Sequence, residues 1–240
     1  MDDLPTDMAV EIAVIVGASA IHPLDDLLIL RLTSSFWNRV CTDPLVGRRL
    51  PLQRVLRRGA WEPYYDDHFR ATLTAATARV GNPEACFLTG LRVVFAENRG
   101  ALHPNIDMLQ RAAAGGHAHA AYVLAILLYR PNSGQHDDES ARQLLRQVEG
   151  EDLPAAMVGV ARYRNDRCVL IRDEVHLLLQ ELAPLRWGMP VARRPVPRQD
   201  THRCAEGLCS VPRTWLEYAV FCSEECRVRF ECARFFNSLW

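Results

Sequence analysis

Apolar residues recur at helical spacing along most of this chain. Met8, Ile12 and Ile15 fall at i, i+4 and i+7, one face of a first helix. Pro5 stands at its start, where the missing N–H of proline costs nothing in the first turn. Pro23 opens a second helix. Asp25 and Asp26 lie near its positive end, and Leu24, Leu27 and Leu28 form its stripe. Ser34 or Ser35 can cap a third, with Phe36 and Val40 on one face, and Asp43-Pro44 stops it. The pattern predicts three short helices within the first fifty residues.

From 51 to 182 the periodicity stays helical and a weak internal repeat emerges. Gly115 and Gly150 align at a separation of 35 residues, and Leu88 and Leu124 at 36. A period in the mid-thirties is one helix–turn–helix unit, which cannot bury its apolar face alone and must stack on its neighbours. Ala113, Ala114, Ala120 and Ala121 are small enough for paired helices to approach closely. Residues 183–200 change character: Pro184, Pro190, Pro195 and Pro197 break any helix, and Arg186, Arg193, Arg194 and Arg198 make the stretch basic. This predicts a stiff, extended linker before a final module at 201–240.

Composition narrows the function. Of 240 residues, 49% are hydrophobic, enough for a sizeable core, and the net charge is −1, which argues against nucleic-acid binding through a general basic field. All 28 basic residues are arginine, as a GC-rich coding sequence would give. No uninterrupted apolar run approaches the roughly 20 residues that span a bilayer. The stretch from Met8 to Ile21 is broken by Glu11, and acidic Asp2 and Asp3 precede it where a secretory leader carries positive charge. The expectation is a soluble protein of the nucleus or cytoplasm. In such a reducing setting, paired cysteines favour metal over disulfide.

Five of the eight cysteines lie in the last forty residues. Cys204-x4-Cys209 and Cys222-x3-Cys226 form two knuckles joined by a loop, the arrangement of a tetrahedral structural zinc site. Four thiolates close the coordination shell and leave no position for an activated water, so one structural zinc is expected and catalysis is not. His202 can replace Cys204 in this reading, and Cys232 can compete, although Cys232 fits the inner face of a helix from Ser223 to Phe236. A strand from Trp215 to Phe221 would lead into the second knuckle. Replacing Cys222 with serine should then unfold mainly the tail. His117 and His119 have no acidic or thiol partner nearby in sequence and read as an inter-helix turn. Cys41, Cys86 and Cys168 read as small core residues. No glycine-rich phosphate loop, nucleophile elbow or zinc-deaminase pattern is present.

The first fifty residues resemble an F-box, on Leu4-Pro5, Ile12, Ile15, Leu24, Asp26-Leu27-Leu28, Leu30-Arg31, Phe36-Trp37, Val40 and Asp43-Pro44, with a longer join at Gly17–His22. Residues 51–182 look like SEL-type, tetratricopeptide-like repeats. Phe221-Cys222-Ser223-Glu224-Glu225-Cys226 is close to the core of a MYND-type zinc finger, whose second metal site lacks its histidine here. The layout resembles a plant-specific family. It implies a mostly α protein: an F-box bundle, a solenoid-like repeat and a small zinc-binding module. It further implies a non-catalytic adaptor that docks a SKP-type partner in an SCF (cullin-RING) ubiquitin ligase and recruits a protein target. Leu4, Pro5, Ile12, Leu27, Leu28 and Leu30 are the expected adaptor-binding residues. The rival reading is a zinc-finger and helical-repeat scaffold outside the ligase, associated with transcription.

Overall fold

The computed structural model describes residues 4–56, 67–97, 105–129, 135–151, 163–182, 204, 209 and 220–238. The chain is mostly α-helical and divides into two compact units, Met1–Thr89 and Gly90–Trp240. The expected linker, 183–200, lies outside the described residues.

The first unit opens with α1 (Thr6–Ser19), α2 (Pro23–Thr33) and α3 (Ser35–Cys41). It continues through α4 (Pro44–Arg49), α5 (Leu52–Leu56) and α6 (Asp67–Arg79) into α7 (Pro83–Leu91), so this unit takes in more than the first fifty residues. Local chemistry sets the boundaries. The Ser34 hydroxyl accepts the Trp37 N–H at 3.3 Å, capping α3. Asp43 both ends α3 and starts α4, its carboxylate accepting the Leu45 N–H at 2.8 Å with Pro44 in the first turn.

Helix α1 packs through its smaller residues. Met8, Ile12 and Ile15 are exposed, at 57%, 39% and 61%, while Ala9, Val10, Ala13, Val14 and Gly17 face the core. Helix α1 has two apolar stripes, and packing selects the smaller one because it admits a neighbour closely. A Cβ on Gly17 would sit 3.3 Å from Leu27 Cδ1. Val40, Val46, Leu50 and Leu52 complete this core. Buried Asn82 stitches it together: its amide donates to the carbonyls of Gly47 and Leu50 at 2.9 Å each, and its oxygen accepts the Ala85 N–H at the head of α7.

The repeat is visible in three glycines. Gly81, Gly116 and Gly150 have φ of +83°, +84° and +76°, and each terminates a helix. Each is followed by the same closing bond: Asn82 N–H to Thr77 carbonyl, His117 to Ala112 and Glu151 to Arg146. This is the Schellman closure, in which only the glycine position needs the left-handed conformation. The true register therefore pairs Gly116, not Gly115, with Gly150. A Cβ on Gly116 would meet nothing within 4 Å, so Gly116→Ala should cost only backbone strain, about 1–2 kcal/mol. Urea unfolding measures this, and an unshifted midpoint would contradict it.

The second unit begins with a π-helical turn, Arg92–Glu97, followed by α8 (Asp107–Ala114), α9 (Ala118–Leu128) and α10 (Gln135–Glu149). Strand β1 (Tyr163–Arg164), α11 (Asp166–Leu182), β2 (Val220–Phe221) and α12 (Glu224–Ser238) complete it. Helix α9 is buried continuously from Ala120 to Leu127, as an all-round apolar helix must be. Helices α8, α10, α11 and α12 all pack against it. The C-terminal helix is thus a layer of the repeat unit. Among the described residues no helix is long and apolar enough to cross a membrane.

Candidate metal centre

Strands β1 and β2 form a two-residue antiparallel ladder, Tyr163 opposite Phe221 and Arg164 opposite Val220. It delivers Cys222 directly to the start of α12. Ser223 then caps that helix, its hydroxyl accepting the Cys226 N–H at 3.2 Å, which fixes Cys226 in the first turn.

Cys204, Cys209, Cys222 and Cys226 bring their sulfurs within 4.8 Å of one another. Cys222 is the hub: its Sγ lies 3.6 Å from those of both Cys204 and Cys226, and its N–H donates to Cys209 Sγ at 3.3 Å. A disulfide would need about 2.05 Å, whereas four sulfurs 2.3 Å from a common ion stand roughly 3.8 Å apart. The spacing is compatible with four sulfurs around one metal ion.

The surroundings agree. The rings of Phe221 and Phe230 meet at a tilt with centroids 5.1 Å apart beside the cluster, and Tyr163 joins its wall. Burial pushes the Cys209 thiol up to about 11 and the Cys226 thiol up to about 12, with neighbouring thiols adding to the rise. Crowded thiolates repel one another unless a cation sits among them, so a bound metal would expel these protons. The helix N-terminus adds a favourable positive end.

Below the cluster, α12 is anchored by residues that pattern reading missed. Arg227, Glu231 and Phe235 fall at i, i+4 and i+8 on one face, and each is fully buried. Arg227 forks onto Glu151 at 2.7 and 2.9 Å, donates to the Arg164 carbonyl at 3.0 Å and lies over the Tyr163 ring. Glu231 accepts from the Tyr122 hydroxyl at 2.9 Å, Asn165 at 2.7 Å and Arg172 at 2.8 Å. Phe235 packs against Phe95, Tyr122 and His176. At the head of the helix, Arg146 pairs with Glu224 at 2.7 Å and Arg142 with Glu225 at 2.9 Å, and Tyr129 also bonds Glu225.

Cys232 turns away from the cluster, its thiol facing the Ile126 carbonyl, and so is not a fifth candidate. His202 lies outside the described residues, as do 215–219 of the expected strand. His117 caps α9 through the Ala120 N–H, and His119 finds a partner after all in Glu174 of α11. Cys86 and Cys168 are buried as expected, whereas Cys41 is only half-buried.

In the first unit the six expected docking residues separate. Pro5, Ile12 and Leu28 are exposed, Leu4 and Leu30 are half-buried, and Leu27 is buried against Gly17. Leu27 is therefore a core residue, a correction to its expected place on the docking surface. Met8, Ile15, Ile29 and Leu32 extend the exposed apolar set on α1 and α2. Leu28 and Leu32 line an open groove with Arg31, Ser34, Ser35 and Asn38.

Residues 67–168 match the family model for plant tetratricopeptide repeats. The chain is 26% identical over 144 residues to an F-box protein of Arabidopsis thaliana, covering 59% of this chain and 36% of that protein. It is 30% identical over 131 residues to a putative F-box protein of the same plant, covering 53% of this chain and 40% of the relative. The matches thus span about two fifths of the length of these curated relatives. No solved structure matches the chain.

Proposed function

We propose that this chain is a non-catalytic, substrate-recruiting F-box subunit of an SCF (cullin-RING) ubiquitin ligase, acting in the nucleus or cytoplasm. Its first unit docks a SKP-type adaptor, and its second recruits a protein target through repeats that carry one structural zinc on Cys204, Cys209, Cys222 and Cys226. The observation that supports docking is the run of large apolar side chains left exposed on α1 and α2, with Leu28 at 52%, Ile29 at 63% and Leu32 at 78%. Clustered exposed apolar groups favour a protein partner. Similarity to proteins named as F-box proteins supports the kind of partner. A closed set of four thiolates in two close pairs supports structural zinc as the ion.

The test separates surface from core. Leu28→Asp should weaken binding to a purified SKP-type adaptor about 30-fold, the size of a hot-spot loss, with the melting temperature unchanged. Leu27→Asp should instead lower the melting temperature, because it buries a charge against Gly17. If the parent chain binds no adaptor, or Leu28→Asp binds as tightly as the parent, the ligase reading fails and the scaffold reading takes its place.

A further inference from the structure

We infer that the metal centre is the cap of the repeat unit, so that metal occupancy and the folding of helices α9–α11 are energetically linked through α12. This rests on the four cysteines holding zinc, as proposed above, but it concerns different residues. A repeat stack needs a terminal unit to cover its last apolar face. Here that role falls to α12, and its sequence explains how. The first turn supplies two of the four sulfurs, Cys222 from its entry and Cys226 from within. The next turns insert Arg227, Glu231 and Phe235 among the repeat helices. Cys226 and Arg227 are adjacent, so the metal side and the anchoring side of the helix are set by one backbone segment.

The anchors reach every neighbouring layer. Glu231 touches Tyr122 on α9 and Arg172 on α11, while Arg227 grips Glu151, whose N–H closes α10. Strand β1 and the residue after it close the circuit: Tyr163 walls the cysteine cluster, the Arg164 carbonyl accepts from Arg227, and Asn165 donates to Glu231. A free-standing recognition finger would show none of these buried charges. Without the ion, the first turn of α12 keeps its two-residue ladder, its serine cap and the pairs of Glu224 and Glu225 with Arg146 and Arg142, but four crowded sulfurs at its entry have no cation among them. The buried charges beyond it depend on that turn, since an unpaired ion in the interior is costly. Linkage is reciprocal: if metal tightens the cap, loosening the cap must weaken the metal.

Two measurements on the full chain test this. Zinc content is first established, and zero zinc would overturn the metal reading and the linkage with it. With zinc bound one to one, amide hydrogen exchange is compared before and after chelation. The expected result is faster exchange in α9 and α11, at Tyr122–Leu127 and Cys168–Val175, together with α12. Loss confined to 204–226, with α9 and α11 as protected as before, would overturn the linkage while leaving the zinc site intact. The reverse direction uses Glu231→Gln, which touches no sulfur. Its zinc affinity, measured against a competing chelator, should fall between about 5- and 150-fold. Tyr122→Phe, which removes one hydrogen bond and keeps the ion pair, should fall less in the same direction. Parent-like affinity in both variants would contradict the proposal.

Discussion

Cys222→Ser should reduce zinc from about one atom per chain to essentially none. Its sulfur lies 3.6 Å from two others and its own N–H is bonded to a third. A serine hydroxyl does not ionise near neutral pH and cannot replace the thiolate. Binding energy at structural zinc sites is also folding energy, about 10–16 kcal/mol in small zinc-finger peptides, so the loss is the largest any single change here should produce. Elemental analysis of the purified variant measures it, and a parent-like zinc content would remove Cys222 from the site. The sequence alone confines the damage to the tail. The position of α12 against α9, α10 and α11 extends it into the repeat helices.

Arg172→Met should destabilise the second unit by about 3–5 kcal/mol. The Arg172 side chain is 4% exposed and its partner Glu231 is fully buried, 2.8 Å away. Removing the guanidinium leaves a carboxylate in the interior with two neutral donors among the described residues, Tyr122 and Asn165. Burial already pushes the Tyr122 hydroxyl well above its ordinary range, and the Glu231 charge pushes it further, so it stays a donor and cannot share the charge. Adding Glu231→Leu should recover part of the loss, since the carboxylate left unpaired by the first change is then gone. Recovery should be incomplete because Tyr122 and Asn165 lose their acceptor, at about 1–3 kcal/mol each. Denaturant unfolding of the two variants measures both steps. A stability equal to the parent's for Arg172→Met would show that the ion pair does not hold the cap.

Much of this architecture was legible in the sequence, and the failures have physical causes. Proline and serine capping signals mark α1–α3 because they act within a few residues, whereas Asp43-Pro44 reads only as a stop and in the structure also starts α4. The cysteine knuckles were legible for the same reason, since metal spacing is local. Which face of α1 packs inward is not legible, because both of its stripes are apolar. The choice between Ile12 and Ala13 is made by how closely α2 approaches, which periodicity does not encode. Leu27 and Leu28 were grouped on one stripe, yet adjacent positions on a helix point some 100° apart, and only one can face Gly17. The anchoring face of α12 was missed for a different reason. Arg227 and Glu231 have helical spacing but carry charge, and polar residues read as surface. Their burial makes sense only with Glu151, Tyr122, Asn165 and Arg172 in place, 59 to 109 residues away in sequence. The repeat register slipped by one because two glycines stand together at 115 and 116, and only the backbone shows which adopts positive φ.

The proposed ligase role requires the first unit to bind a SKP-type adaptor. Sedimentation velocity of the full chain mixed with a purified SKP-type adaptor tests it most directly. The account predicts a single faster boundary of one-to-one mass that persists after zinc is chelated, because the exposed apolar residues of α1 and α2 lie in a different compact unit from the cysteines. Two independent boundaries at micromolar concentrations, each sedimenting as it does alone, would contradict it.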